Sequence, residues 1–311
     1  MPARVPLRRR VRVRRQVLTT PLITFAVLPL LAAACGGGGA GTATESCAAG
    51  DAASAAHASD GGDAPIRVLL WNNAVTYGHQ SRMTAIPLLQ AQAATNDIEF
   101  DTSYAHVTPV LPEGQVDSCS DPSVFTEAGL DPYDVVFFLN TTGATLDGDG
   151  QGEAHRQALM DFVTTKGRGF VGMHSASDTY DTGWPWYSDF IGANFQAHSP
   201  AGTAGTATYA PGVSHVILSA AKVPNPWNRM EEWYAFTRDP TTSALPGITV
   251  LLDCTDATNQ LGTRPSAWVH DLPGGGRMFY TAFGHATAAF QEQPVMDLIA
   301  AGIKWAAHRL N

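Results

Sequence analysis

Residues 66–71, Ile-Arg-Val-Leu-Leu-Trp, form a short apolar run between Pro65 and Asn72-Asn73. Such a run, bounded by turn formers, predicts a strand buried on both faces. Met83, Ile86, Leu89 and Ala93 then recur at near-helical spacing over 81–95. Further strands are predicted at 98–104, 134–139 and 168–173, with a helix over 153–166 that lines Leu159, Phe162 and Val163 on one side. Residues 105–131 read as a long proline-containing loop. Later strands are predicted at 248–252 and 277–281, and a closing helix over 292–309 carries Val295, Leu298, Ile299, Gly302 and Trp305 along one stripe. Strands alternating with helices require right-handed crossovers. The expected fold is therefore α/β: a mostly parallel sheet flanked by helices, with flavodoxin-like layering, in a single domain over 65–311.

The first 64 residues have a different character. A dense arginine run in residues 1–15 precedes an apolar stretch from Val17 to Ala34 that is broken by Pro21 and Pro29. This is the pattern of a secretory signal, too short and interrupted for a spanning helix. It ends Leu31-Ala32-Ala33-Ala34-Cys35-Gly36, which resembles a bacterial lipobox and predicts lipidation of Cys35. Arg14-Arg15 leaves export by a twin-arginine route open beside the general one. Residues 36–64 contain no large apolar side chain and read as a disordered tether. The expected location is the outer face of the cytoplasmic membrane, anchored through Cys35, or the secreted fraction.

Charge narrows the partners. The net charge of −9 includes seven arginines of the leader, so the chain without that segment stands at −16. Nucleic acid is excluded as the main partner, because phosphate tracks need the opposite sign. Export permits disulfides, and Cys47, Cys119 and Cys254 leave the pairing open. No Cys-x-x-Cys occurs, so a thiolate zinc site is not expected.

In a parallel sheet the chemistry sits beyond the carboxyl ends of the strands. His79 follows the first predicted strand. His174 follows the fourth within Gly172-Met173-His174-Ser175-Ala176, the shape of a strand-to-helix elbow with imidazole where hydrolases carry serine or cysteine. His198, His215 and His285 come later, as does the acidic pair Glu231-Glu232. Histidines with a carboxylate suit a divalent metal, zinc first, or acid–base work near neutral pH. His79, His174, His198 and His285 are the metal candidates, although no two lie at i, i+4 on a helix. His106, His155, His270 and His308 are assigned to surface or loop. Trp186, Tyr187, Trp233, Tyr234 and Trp268 fall near these histidines and are candidate sugar-stacking faces, with core packing as the alternative.

The ordered set of these segments resembles the ThuA-like (trehalose utilisation) family. The matching pieces are Gly78-His79-Gln80-Ser81, Tyr133-Asp134-Val135-Val136, Gly169 to His174, Trp186 to Ala193 with Phe195 and His198, Glu231 to Tyr234, Pro265 to Trp268, Gly276 to His285, and Gly302 to Ala306. Ser214-His215-Val216-Ile217 departs from the family's His-Pro-Ile, and Glu231-Glu232 stands for its Asp-Glu. The resemblance implies a class I glutamine amidotransferase-like fold without the catalytic cysteine. It also implies processing of sugars, expected to be oxidised (3-keto) glycosides or related compounds, by a hydrolase, lyase or isomerase.

His174, Glu232, His285 and His79 are the expected catalytic group. One rival is a non-catalytic carbohydrate-binding lipoprotein, and another a metal-stabilised surface protein. Metal content and turnover of a keto-sugar panel separate the three.

Overall fold

The computed structural model describes residues 64–117 and 121–311. The expectations for the export signal, Cys35, the tether to residue 63, Cys47 and Cys119 lie outside them. Strand β1 (Ile66–Trp71) opens the domain, followed by helices α1 (Ser81–Thr84) and α2 (Ile86–Ala93), strand β2 (Ile98–Asp101), helix α3 (Glu127–Leu130), strand β3 (Val135–Leu139), helix α4 (Gly152–Thr164) and strand β4 (Gly169–Met173). Next come α5 (Pro185–Ile191), β5 (Phe195–His198), β6 (Thr203–Tyr209), α6 (Val216–Ala220), β7 (Trp227–Glu231) and β8 (Tyr234–Phe236). Strands β9 (Ile248–Asp256), β10 (Arg264–Asp271) and β11 (Arg277–Thr281) and helix α7 (Gln293–Ala306) complete it.

One nine-stranded sheet runs β2-β1-β3-β4-β11-β10-β9-β6-β7, and β5 pairs separately with β8. Its first five strands are mutually parallel, as the alternation of strand and helix predicts. The remaining four are antiparallel to their neighbours. The sheet is therefore mixed, within a single α/β domain.

Side-chain alternation builds both layers. Val68, Leu70, Val135, Phe137 and Leu139 face α2, α6 and α7, whereas Leu69, Trp71, Val136 and Phe138 face α4 and α5. Both sets are buried, which is why these strands read as continuous apolar runs. On α7, Gly302 lies flush against the Phe279 ring, and a Cβ there would overlap it. A glycine at this point lets helix and sheet pack in direct contact.

Local chemistry explains where the elements depart from the sequence pattern. The helix expected over 81–95 is two helices, because Pro87 in the first turn of α2 has no N–H to continue the ladder. Strand β2 stops at Asp101, whose carboxylate accepts the Ser103 N–H at 2.8 Å and turns the chain. Strand β9 continues to Asp256, so Cys254 sits within it, buried, with a free thiol that burial pushes up to about 12. Among the described residues it pairs with no other cysteine. Strand β10 escapes the pattern because Pro265 interrupts it and the register with β9 shifts between Pro265 and Ala267. His155 and His270 are also corrected. Both are buried, with their ring nitrogens held by Phe125 O and Asp149, and by Phe190 O and Pro246 O. His106 is partly exposed and His308 is exposed.

Candidate active site and metal centre

Because β1, β4 and β11 are parallel, their carboxyl ends share one edge, and each is followed by a histidine: His79, His174 and His285. Their ring centroids stand 4.7 Å (His79–His174), 5.1 Å (His79–His285) and 5.4 Å (His174–His285) apart. Glu232, directly after β7, completes the group. One ligand-capable atom from each of the four residues lies within 4.8 Å of the others.

His174 is the elbow residue. Its φ is +49°, a left-handed conformation rare for a side chain of this size. The chain then enters a 3₁₀ turn, His174–Asp178, rather than a long helix. The elbow is tied down: the Tyr280 hydroxyl donates to the His174 carbonyl at 2.7 Å. The imidazole Nδ1 lies 2.8 Å from the Ala282 carbonyl and donates to it, which leaves Nε2 on the site side. The Tyr234 ring packs on this imidazole with centroids 4.1 Å apart.

His285 is placed by Gly284, whose φ of +106° suits glycine and whose Cβ position is taken by the Met173 side chain. The Gly284 carbonyl accepts from Ser81 Oγ at 3.0 Å and from Asn140 Nδ2 at 2.9 Å.

Glu232 Oε2 lies 3.3 Å from His174 Nε2 and 3.1 Å from His285 Nδ1, and Oε1 lies 3.0 Å from His198 Nδ1. These are ion-pair distances. His174 Nε2 and His285 Nδ1, like His79 Nδ1, are nevertheless buried without a hydrogen-bond partner. Burial opposes ionisation of Glu232, but the neighbouring His174 and His285 outweigh it and hold the carboxyl well below its usual range. Burial, reinforced by the two other imidazoles, drives His79 well below its usual value and keeps it neutral. Burial also works against the charged form of His285, yet Glu232 prevails and raises it. Three buried imidazoles that each carry an unpartnered nitrogen, grouped with an ionised carboxylate, suit a divalent cation such as zinc.

His198 stands apart from the four. Its side chain is 44% exposed, and it approaches Glu232 from the solvent side. His215 is elsewhere, capping α6 by accepting the Ile217 N–H. Of the aromatic candidates, Tyr187, Trp233, Tyr234 and Trp268 are buried, and half-buried Trp186 stacks on Phe190 at 4.8 Å. Their faces are committed to packing, so the sugar-stacking expectation fails for the four buried rings. The exposed ring at the mouth is instead Tyr77, 43% exposed and edge-on to His79 with centroids 5.0 Å apart. Glu113 joins it, with Oε1 3.6 Å from His79 Nδ1. Neither residue carries a sequence signal of its own. Glu113 arrives on the 105–117 excursion, held to α1 by the buried Arg82–Asp117 pair at 2.9 Å and to the loop after β1 by the Asp117 N–H donating to the Ala74 carbonyl.

Solved structures of similar fold include a ThuA-like protein from Bacteroides uniformis, at 20% identity and a TM-score of 0.59, covering 81% of this chain and 95% of that one. A second, from Parabacteroides merdae, shares 19% identity with a TM-score of 0.57 over 78% of this chain and 90% of the other. A glutamine amidotransferase from Thermotoga maritima aligns at 11% identity and a TM-score of 0.44, covering 78% and 98% of the two chains. No curated protein sequence matches the chain. The model of the ThuA family, described as trehalose utilisation, matches residues 67–306, and the chain belongs to that family.

Proposed function

We propose that this protein is an exported sugar-processing enzyme that holds one divalent metal, zinc first, and acts on keto-sugars or keto-glycosides. The observation that carries this reading is the grouping of His79, His174, His285 and ionised Glu232, with one ligand-capable atom of each within 4.8 Å of the others and one buried, unpartnered nitrogen on each imidazole. His79, His174 and His285 would hold the metal, which would supply polarisation of a substrate carbonyl. The carboxylate of Glu232 is ionised and can only accept a proton. It takes one from the carbon next to the keto group, and the electron pair left there moves into the carbonyl. That pair then returns from the enolate to form a carbon–carbon double bond, and the glycosidic oxygen on the following carbon departs with its own C–O bonding pair and takes the proton now held by Glu232. Tyr77 offers an exposed ring for the apolar face of the sugar, and Glu113 and His198 offer polar groups at the rim. No cysteine or serine nucleophile is needed, which accounts for imidazole at the elbow.

The test combines metal analysis with turnover. One equivalent of zinc per chain and conversion of a 3-keto-glycoside panel are expected for the wild type. His174→Ala should bind zinc at least about 100-fold more weakly. Glu232→Gln should keep the fold and lose turnover. Metal without turnover would favour the metal-stabilised surface protein, and neither metal nor turnover would remove the proposal. Export through a lipid at Cys35 belongs to the same reading. Intact mass of the membrane fraction should show a chain beginning at Cys35 plus the acyl groups.

A further inference from the structure

We infer that Glu231, held by Arg229, is the positioning residue of this site, setting Glu232 and His285 relative to one another. The inference rests on the metal reading above for its consequence, but its geometry stands alone. Glu231 ends β7, the edge strand, which is four places from β11 in the sheet order. Its carboxylate is almost fully buried, and burying a carboxylate is costly unless its oxygens are satisfied. Here they are satisfied by the backbone of the site itself. Oε1 accepts the N–H of Glu232 at 3.1 Å and that of His285 at 3.3 Å, so one oxygen joins the backbones of two site residues. Oε2 accepts the Gly284 N–H at 3.1 Å and Arg229 Nη2 at 2.9 Å.

Arg229 has little else to do. It is buried between Trp227 and Phe283, with its guanidinium 4.9 Å and 4.4 Å from their ring centroids. Nη2 makes a second, longer contact of 3.4 Å to Glu292, while Nε and Nη1 have no hydrogen-bond partner. A cation is thus kept in an apolar slot to hold the Glu231 carboxylate in place. The Gly284 peptide is gripped on both sides, its N–H by Glu231 and its carbonyl by Ser81 and Asn140. This ties an otherwise remote edge strand to the loop carrying His285.

Glu231→Gln keeps the shape but turns an amide NH₂ toward backbone N–H donors. Hydrogen exchange should show the amides of Glu232, Gly284 and His285 losing protection in this variant, with no metal needed. Zinc affinity, read by competition with a chromophoric chelator, should fall about 10–100-fold at unchanged stoichiometry, and the visible spectrum of the cobalt form should shift. Arg229→Lys, which keeps the charge but loses the fixed fork, serves if Glu231→Gln does not fold, and should give the same pattern to a smaller degree. Asp256→Asn is the control. It breaks another buried pair, Asp256–Arg264 at 2.8 Å, and should lower thermal stability without moving zinc affinity, the cobalt spectrum or the three amides. Wild-type protection of those amides in both Glu231→Gln and Arg229→Lys would overturn the inference, as would wild-type zinc affinity with an unshifted cobalt spectrum. A wild type that binds no metal would remove the metal reading and leave hydrogen exchange to decide the clamp.

Discussion

The two halves of the sheet contribute differently to the site. The parallel half, β2-β1-β3-β4-β11, places His79, His174 and His285 at the ends of buried strands that run side by side. The antiparallel half, β10-β9-β6-β7, supplies the carboxylates from its far edge, Glu231 at the end of β7 and Glu232 just beyond. Three imidazoles at one edge follow from topology, since parallel strands end together. The acidic side has no such guarantee. It depends on the edge strand reaching the strand-end loops and on a buried carboxylate holding it there. The parallel half is a platform, and the antiparallel half is a cover whose alignment is set by a few polar contacts.

Truncating the platform should have the largest effect. Phe137 is fully buried at the centre of β3, and Phe137→Ala should cost about 3–5 kcal/mol in urea denaturation. A loss below about 1 kcal/mol would show that the parallel half is not the stabilising core.

A pH-dependent effect of intermediate size is expected just beyond the elbow. Asp178 is raised to about 6, first by burial and then by Asp181. The folded state therefore holds this proton more tightly than the unfolded chain, where the value is about 3.9. Stability contributed by the protonated form is lost as pH rises from about 4 to 6. Because the group is partly exposed, Asp178→Asn should stabilise by no more than about 1–2 kcal/mol at pH 8 and by nothing at pH 3. Melting curves at the two pH values check this, and an equal shift at both would exclude titration as the cause.

The smallest effect belongs to the outer face of the cover. Met230 on β7 is 60% exposed, and Met230→Ala should change stability by less than about 0.5 kcal/mol. Its neighbour Glu231 is almost fully buried. A marked loss from Met230→Ala would mean that this edge is covered in solution, and sedimentation of the wild type would show it.

Local pattern determined the parallel half. The runs at 66–71, 134–139 and 168–173 are apolar at nearly every position, because both sides of those strands are buried, and β1 and β4 fall where that pattern puts them. Strand-end logic then put His79 and His174 at one edge, and His285 followed once β11 proved parallel to β4. Tertiary structure decided the rest. Strands β5 to β8 carry few buried positions or, in β7, alternate buried with exposed ones, and β10 is interrupted by Pro265, so none shows a continuous apolar signal. Whether an aromatic ring is core or cleft depends on what covers it, and burial separated Trp268 from Tyr77. The roles of Glu231 and Glu232 are the clearest case. They are adjacent and chemically alike, yet one carboxylate binds backbone N–H groups and the other faces three imidazoles. A chain leaving the end of a strand points successive side chains in different directions, and only the packing of β7 against the strand-end loops determines what each one meets.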